Sequence, residues 1–262
     1  MLNETVNFEV YALKYATRDA QSSEHFYGHD IHDYPMPMDY FVWAAVSDEH
    51  TVVVDAGFNA EVAARRGREH LRCPAEGLGE LDIDRERVSC VILTHLHYDH
   101  VGNLEKFPAA TFVVQREEMA FWTGRYAGRE HFRHTVEVED VIHLVRENFE
   151  GRLRFVDGDE EIESGIKVYW AGGHSAGLQV VRVETEKGNV VLASDATHFY
   201  TNLEEDRPFS IVHDLSRMYG AFDLVRSLAD SPSLVVPGHD PRVMQRFPAA
   251  RKGLEGMAVR IA

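Results

Sequence analysis

The sequence is poor in cysteine. Cys90 lies in an apolar run, and Cys73 precedes Pro74 in a stretch typical of a turn. Two thiols in such positions are typical of buried or incidental cysteines rather than of a disulfide framework. We therefore expect a fold that is stabilised by its hydrophobic core, without a disulfide.

Long hydrophobic runs and a targeting segment are also missing. The N-terminal MLNETVNFEV has no basic segment ahead of an apolar core. No run of residues approaches the roughly 18 apolar residues of a membrane-spanning helix. The sequence therefore predicts a cytoplasmic protein with no membrane partner.

Positive charge is scarce. The 27 basic residues face 43 acidic ones, which gives a formal net charge of −16, and no Lys/Arg block interrupts the acidic background. A polyanion would be repelled by such a surface. The composition therefore argues against a nucleic acid partner.

The chain also has no internal repeat and no low-complexity linker. Its 262 residues are 44 % hydrophobic and 27 % charged, which suffices to bury a sizeable core. We predict one domain over residues 1–262. Periodicity predicts strands at 8–15, 40–46, 51–54, 88–93, 111–114, 153–156, 166–170, 180–184, 190–193 and 234–236, helices at 61–71, 104–107, 116–122, 136–145 and 217–228, and a long loop at 19–39.

Residues with ligand chemistry concentrate in the segment THLHYDH, residues 94–100, directly after a predicted strand. In an extended segment alternate side chains share a face, so His95, His97 and Asp99 lie on one side and His100 on another. Imidazole and carboxylate are ligands that borderline divalent metals such as zinc accept. This spacing predicts a metal site that can serve two ions.

The HxHxDH pattern of residues 95–100 resembles the signature of the metallo-β-lactamase superfamily of metallohydrolases. That resemblance implies three later ligands. The chain has His174 in the Gly-rich GGHSAG, Asp195 after the apolar VVLA, and His239 in the segment PGHD. The resemblance covers residues 52–240 and implies an α/β fold, a four-layer αβ/βα sandwich.

The resemblance also implies a dinuclear centre. In this arrangement one metal is held by His95, His97 and His174, the other by Asp99, His100 and His239, and Asp195 bridges the two. Two cations about 3.5 to 4 Å apart share a water and lower its pKa from about 15.7 towards 7, and the bridging hydroxide then attacks a polarised carbonyl. Asp99 is the implied proton shuttle. Zinc is the expected metal, and iron, manganese or cobalt would fit the same ligands.

Several branches of the superfamily fit this sequence poorly. Class B β-lactamases carry a cysteine in place of Asp195, and flavodiiron proteins carry an acid in place of His97. Glyoxalase II-type thioesterases need a helical region longer than the 23 residues after His239, and RNA-processing branches need a basic face. The chain most resembles the quorum-quenching N-acyl homoserine lactonases in its length, its HxHxDHxGN form and its Ser-Asp-Ala segment. The implied activity is metal-dependent hydrolysis of a lactone, a carboxylic ester.

One position departs from the lactonase pattern. Well-known lactonases place a tyrosine three residues after the bridging aspartate, where this chain has His198. We predict His198 to be catalytic and to contact the substrate through an equivalent hydrogen bond, with Tyr200 as a second contact. Met36 and Met38, in a loop broken by prolines, are predicted to line an apolar acyl pocket. The alternatives are that Tyr200 or Tyr219 supplies this hydrogen bond, that the substrate is a different lactone, or that His198 is an ordinary loop histidine.

Other functions fit the same residues. The substrate can be another small lactone, cyclic ester or amide from catabolism, and a non-catalytic metal-binding protein is the alternative outside the enzymes. Asp55, in an Asp-x-Gly turn, is expected to support the metal loop without binding metal. The basic segment 124–134 is expected to be solvated surface. A homodimer is a further expectation.

Overall fold

Two β-sheets pack face to face in the computed structural model, which describes residues 7–28 and 32–262. The strands are β1 (Glu9–Arg18), β2 (Met38–Val46), β3 (Thr51–Val54), β4 (Glu69–His70), β5 (Cys90–Ile92), β6 (Thr111–Gln115), β7 (Leu153–Val156), β8 (Glu160–Glu163), β9 (Ile166–Trp170), β10 (Gln179–Thr185), β11 (Gly188–Ser194), β12 (Val235–Pro237) and β13 (Ala258–Arg260).

Each sheet mixes parallel and antiparallel strands. The first sheet has the order β13-β1-β2-β3-β5-β6-β7, with β4 beside β1, and the second has the order β12-β11-β10-β9-β8. The pairs β3-β5, β5-β6 and β6-β7 are parallel, as is β11-β12. Parallel neighbours end at the same edge of a sheet, so the segments that leave β5, β11 and β12 can converge.

Strand β2 shows how the core is divided. Its residues alternate between two buried faces, because Phe41 and Trp43 pack between the two sheets while Tyr40 and Val42 pack under helices of the first sheet. A strand buried on both faces reads as a continuous apolar run, which is how this segment appears in the sequence.

The helices cover the outer faces of both sheets. They are α1 (Ala60–Arg66), α2 (Pro74–Gly77), α3 (Tyr98–Val101), α4 (Arg116–Trp122), α5 (Glu130–Arg133), α6 (Val138–Phe149), α7 (Tyr200–Glu204), α8 (Leu215–Leu228) and α9 (Val243–Arg246). Helix α8 packs Ala221 and Val225 on the second sheet, and α1 and α6 pack Val62 and Leu144 on the first. The predicted four-layer αβ/βα architecture is confirmed. Within the described residues, no helix is long and apolar enough to cross a bilayer.

Some predicted boundaries were wrong. The helix predicted over 61–71 ends at Arg66, because Gly67 takes a left-handed conformation with φ 64° that closes the helix, and Glu69–His70 then pairs with β1. The predicted loop 19–39 contains the start of β2 at Met38 and a short 3-10 helix at Ser22–Glu24. Its residues 29–31 lie outside the described residues, as do residues 1–6 of the N-terminal segment.

Both cysteines are free thiols, as predicted. Cys90 is buried in β5, and burial raises its pKa to about 12, so it is protonated at neutral pH. Cys73 precedes α2, in which Pro74 occupies the first turn, where its missing N–H costs nothing.

Candidate metal centre

The seven predicted metal ligands lie together at one edge of the two sheets. They follow the ends of β5, β9, β11 and β12, and each side chain is buried. In the first sheet, β5 is followed by an extended segment and then α3, so the first two histidines precede the helix and Asp99 and His100 lie within it. The fold thus collects donors from four loops that are distant in the sequence.

The donors form two groups that meet at Asp195. The ligand atoms of His95, His97, His174 and Asp195 all lie within 4.8 Å of one another, as do those of Asp99, His100 and His239. One oxygen of Asp195, Oδ2, lies 3.1 Å from His174 Nε2, and the other, Oδ1, lies 3.1 Å from His239 Nε2. Asp195 therefore stands between the groups with one oxygen towards each.

Three of the imidazoles are oriented from behind by an oxygen atom. Their Nδ1 atoms donate to Asp55 Oδ2 (2.7 Å, from His100), the Ile211 carbonyl (3.0 Å, from His174) and the Asp39 carbonyl (2.9 Å, from His239). Because each Nδ1 carries a hydrogen, the Nε2 atom of the neutral ring presents its lone pair to the cluster. Such outer hydrogen bonds fix the orientation and tautomer of metal-binding histidines.

The last of these contacts is reciprocal. The backbone N–H of Asp39 donates to the His239 carbonyl at 3.0 Å, while His239 Nδ1 donates to the Asp39 carbonyl. The start of β2 and the loop after β12 are thereby joined across 200 positions of sequence.

The nitrogen atoms of the cluster fit a bound cation. His97 Nδ1 and His174 Nε2 are 2.8 Å apart, and Nε2 of His174 faces inward with its lone pair. The Nε2 atoms of His95 and His100 are buried and have no hydrogen-bond partner among residues 7–28 and 32–262. A buried polar atom without a partner is costly, and divalent metals are the partners that this donor set accepts.

Electrostatics favour the metal-binding protonation states of His95, His97 and Asp195, whereas nearby carboxylates outweigh burial and raise the pKa of His239. Burial, reinforced by neighbouring imidazoles, holds the pKa of His95 and of His97 well below its ordinary value. Burial alone would raise the pKa of Asp195, but the surrounding histidines outweigh it and hold that pKa well below its usual range. Neutral imidazoles and an ionised carboxylate are the forms that coordinate a metal.

Asp55 supports the metal loop, in the position that the Asp-x-Gly turn indicates. Its backbone is left-handed, with φ 64°, and its carboxylate accepts hydrogen bonds from Thr94 N at 2.7 Å and Thr94 Oγ1 at 2.9 Å besides that from His100. Burial lowers the pKa of His100, but Asp55 and the other carboxylates outweigh burial and raise it well above its ordinary value.

Glu118 is a site residue that the sequence analysis missed. It is fully buried in the first turn of α4 and accepts four hydrogen bonds, from Leu96 N (2.9 Å), Trp122 Nε1 (2.8 Å), Ser175 Oγ (2.9 Å) and Gly177 N (2.6 Å). It joins the segment that carries His95 and His97 to the loop that carries His174.

The signal for Glu118 was weak, because a glutamate in the first turn of a helix ordinarily complements the helix dipole at the surface. The one feature of the sequence that relates to the buried position of Glu118 is Gly177. A Cβ at Gly177 would lie 2.4 Å from the backbone nitrogen of Glu118, so a larger residue there would displace the backbone of α4.

A cavity of about 110 Å³ opens over the metal-ligand cluster. Met38, Asp99 and His198 are among the residues that line it. Met36 and Tyr200 are not among the described residues that line the cavity. Met36 packs against the core of the first sheet, and the Tyr200 ring is buried under the Arg246 guanidinium, whose Cζ lies 3.5 Å from the ring centroid.

His198 is held against Asp195. Its Nε2 lies 2.9 Å from Asp195 Oδ2, and its ring stacks on Phe209 with centroids 3.4 Å apart and an interplanar angle of 6°. The ring is 2 % exposed, and Asp195, His198 and His239 themselves form a third group of closely spaced donors. His198 is therefore not an ordinary loop histidine.

Comparison with known proteins agrees with this geometry. The chain is 31 % identical over 121 residues to an N-acyl homoserine lactonase of Bacillus thuringiensis, covering 46 % of this chain and 43 % of the relative. It therefore spans less than half the length of that relative. It is 28 % identical over 244 residues to the N-acyl homoserine lactonase AttM of Azorhizobium caulinodans, covering 83 % and 87 %.

A solved structure shares the fold. An N-acyl homoserine lactone hydrolase with N-hexanoyl-L-homoserine bound at its catalytic metal center superposes with a TM-score of 0.74 at 19 % identity, over 93 % of this chain and 97 % of that one. The family model described as the metallo-beta-lactamase superfamily matches residues 37–239, which is most of the sequence. The chain belongs to the metallo-beta-lactamase superfamily.

Proposed function

We propose that the protein is a dinuclear metal-dependent hydrolase that opens lactone rings, with N-acyl homoserine lactones as the substrates that its relatives indicate. The observation that carries this proposal is the placement of Asp195 between two groups of buried donors beneath a cavity. A single structural metal would need about four donors. Seven donors arranged around a shared carboxylate suit two ions.

The proposed ligands follow from the two groups. One ion is assigned to His95, His97 and His174, the other to Asp99, His100 and His239, and Asp195 is shared. Zinc is proposed because imidazole and carboxylate donors in a buried site suit it. Two divalent cations held there supply positive charge that polarises a substrate carbonyl and makes water a nucleophile at neutral pH.

Asp99 is the proposed proton carrier. Its side chain is 10 % exposed and lines the cavity, with Oδ2 3.7 Å from His239 Nε2 and Oδ1 3.8 Å from His100 Nε2. Tyr15 Oη donates to the Asp99 carbonyl at 2.8 Å and holds its backbone in place. In the proposed reaction an Asp99 oxygen takes the proton of the attacking water and delivers it to the ring oxygen that leaves.

His198 has two proposed roles. It donates from Nε2 to Asp195 Oδ2, which orients the shared carboxylate, and it presents the rest of its ring to the cavity. The stack on Phe209 keeps the ring from rotating away. Its place in the cavity lining is what supports the predicted contact with the lactone. Because the Nε2 hydrogen is donated to Asp195, donation to the lactone would require this hydrogen bond to be exchanged for one to the substrate.

Proton release, followed with a pH indicator, tests the proposed function. The assay compares N-acyl homoserine lactones of short and long chain with simple γ- and δ-lactones, using metal-loaded and chelated protein. Fast opening that is lost on chelation and regained with zinc is the expected result. Metal-loaded protein that opens no lactone, ester or thioester would contradict the proposal and favour the non-catalytic alternative. The single domain, the homodimer and the cytoplasmic location stay predictions.

A further inference from the structure

Three arginines line the cavity above the metal-ligand cluster. Arg18, Arg66 and Arg68 occur there together, although the chain as a whole carries a net charge of −16. Positive side chains beside a site for two divalent cations repel those cations unless negative groups intervene. The partners of each guanidinium therefore show which arginines are satisfied by the chain itself.

Arg66 is fully used by the fold. Its Nε donates to Glu137 Oε1 at 2.8 Å, its Nη1 to the His134 carbonyl at 2.8 Å, and its Nη2 to the Val136 carbonyl at 3.2 Å. The guanidinium also stacks on Tyr98, with its Cζ 3.8 Å from the ring centroid. Arg66 thus joins α1 to the segment before α6.

Arg68 has a different environment. Its Nε donates to the Tyr98 hydroxyl at 3.0 Å and its Nη1 to the Arg66 carbonyl at 2.6 Å, which are both neutral acceptors. Arg68 is half-buried, and no carboxylate of residues 7–28 or 32–262 lies within ion-pair distance of it. The Asp99 carboxylate acts favourably on Arg68 only from beyond ion-pair distance, and the neutral partners of Arg68 fix its position without neutralising it.

Arg18, on β1, is also weakly paired. Its Nε and Nη2 lie 3.4 and 3.3 Å from Met38 Sδ, and a thioether is a weak acceptor. Within residues 7–28 and 32–262 its one carboxylate contact is from Nη1 to Glu24 Oε2 at 3.3 Å, and the Glu24 side chain is 47 % exposed. Two guanidinium groups of the cavity are therefore available to a negatively charged ligand.

We propose that the lactone opened at this centre carries a carboxylate on its substituent, and that Arg68 and Arg18 bind that carboxylate. This inference rests on the proposed lactonase function and narrows its substrate class. Arginine recognises carboxylates through directed N–H donors. The cavity, at about 110 Å³, is far smaller than the roughly 300 Å³ at the lower end of pockets for drug-sized ligands, which favours a short arm over a long acyl chain.

Matched substrates test the inference. N-succinyl-L-homoserine lactone and N-butanoyl-L-homoserine lactone have the same ring and similar arms, but only the first carries a carboxylate. We expect kcat/KM to be at least tenfold higher for the acidic lactone. The Arg68→Gln variant should lower the ratio of the two kcat/KM values at least tenfold, mainly through KM for the acidic lactone, and Arg18→Gln should lower it less.

The control variant is Arg65→Gln. Arg65 is a neighbouring exposed arginine that pairs with Glu61 and Glu137 outside the cavity, and its replacement changes the net charge equally. It should leave the ratio unchanged. If wild-type protein opens both lactones equally well, or if Arg68→Gln slows both by the same factor, the inference is wrong while the lactonase function stands.

A binding measurement separates the two proposals if no lactone is opened. Titration calorimetry on zinc-loaded protein compares glutarate with butyrate, because the two acids are similar in size and only glutarate has a second carboxylate for the arginines. Binding of glutarate that is at least tenfold tighter than that of butyrate, and that is lost in Arg68→Gln, supports the anion site. Equal binding of the two acids overturns it.

Discussion

Two regions of the cavity differ in how their charged groups are paired. We call the metal-ligand cluster the floor, and the side chains of Arg18 and Arg68 the wall. On the floor, Asp195 is surrounded by imidazoles and His100 is paired with Asp55. On the wall, the hydrogen bonds of Arg68 within the described residues go to neutral acceptors, and Arg18 contacts a thioether and an exposed glutamate. On the floor, the atoms left without a partner are histidine nitrogens, which suit a bound cation. On the wall, the weakly paired groups are guanidinium cations, which suit a bound anion. Under our two proposals, the floor serves catalysis and the wall serves substrate choice.

The largest loss of catalytic activity is expected when Asp99 is replaced. We expect Asp99→Asn to lower kcat about 10³-fold, because the amide cannot accept and return the proton. The measurement is turnover at saturating zinc, together with zinc content by atomic emission. Zinc content near the wild-type value would accompany the expected loss. Asp99 is also a proposed ligand, so if the zinc content falls in proportion to activity, loss of the ligand explains the lost turnover and the proton-transfer role is not supported.

Replacing Glu118 should destabilise the loops that carry the metal ligands without changing a metal-ligand atom. In Glu118→Gln the amide group faces backbone and hydroxyl donors, so at least one buried hydrogen bond is lost and a donor is set against a donor. We expect the free energy of unfolding to fall by about 3 kcal/mol in urea denaturation, with weaker zinc retention.

Its neighbour supplies the control. The side chain of Glu117 is 46 % exposed and lies near Arg116, so Glu117→Gln should change stability by less than about 0.5 kcal/mol. An equal loss in both variants would show that the effect comes from the charge at the start of α4 rather than from the four hydrogen bonds of Glu118.

His198 contacts Asp195 in the floor and also lines the cavity. Its replacement should lower zinc affinity moderately. Removing its donor to Asp195 in His198→Phe should weaken zinc binding about tenfold, as other hydrogen bonds behind metal ligands do. Competition with a chromophoric chelator measures the affinity. His198→Gln retains a donor and should recover part of it. Unchanged zinc affinity in His198→Phe would leave His198 with a substrate contact alone.

The smallest effect concerns a buried carboxylate outside the site. Asp140 in α6 has a buried Oδ2 without a hydrogen-bond partner among the described residues, and burial together with Glu137 and Glu105 raises its pKa to about 7. Between pH 4 and 7 the unfolded chain loses this proton before the folded chain does, so stability falls as the pH rises.

Asp140→Asn removes this dependence. The variant should be about 2 kcal/mol more stable than wild type at pH 8, where the ionised carboxylate is penalised, and equal to it at pH 4. Thermal unfolding at the two pH values measures the difference. A stability difference that does not change with pH would assign the effect to packing or hydrogen bonding rather than to the charge.

The donors could be predicted from the sequence because they are local signals. The segment that contains the first four ligands, residues 95–100, directly follows one strand. Each of the three later ligands follows an apolar run and lies among residues typical of turns: His174, Asp195 and His239. The superfamily resemblance then supplied their grouping and the four-layer fold. These predictions depend on residue type and short-range spacing, which a sequence displays directly.

The partners of those donors could not be predicted in the same way. The Ile211 and Asp39 carbonyls that orient His174 and His239 are backbone atoms, so no residue type marks them. Arg68 looked like one more basic residue of a predicted helix. That helix in fact ends at Arg66, and Gly67 turns the chain so that Arg68 lies against Tyr98 at the cavity. The contacts that decide such roles exist only after the sheets have packed.

The reciprocal hydrogen bonds between Asp39 and His239 have a consequence for the order of assembly during synthesis. Four of the seven proposed ligands have been translated by residue 100. The last ligand, His239, meets its backbone partner Asp39 only when residue 239 has left the ribosome. A nascent chain shorter than this lacks a complete ligand set. Under the proposed assignment, the dinuclear centre could be completed only after synthesis of β12, the edge strand that pairs with β11, and of the His239 loop that follows it.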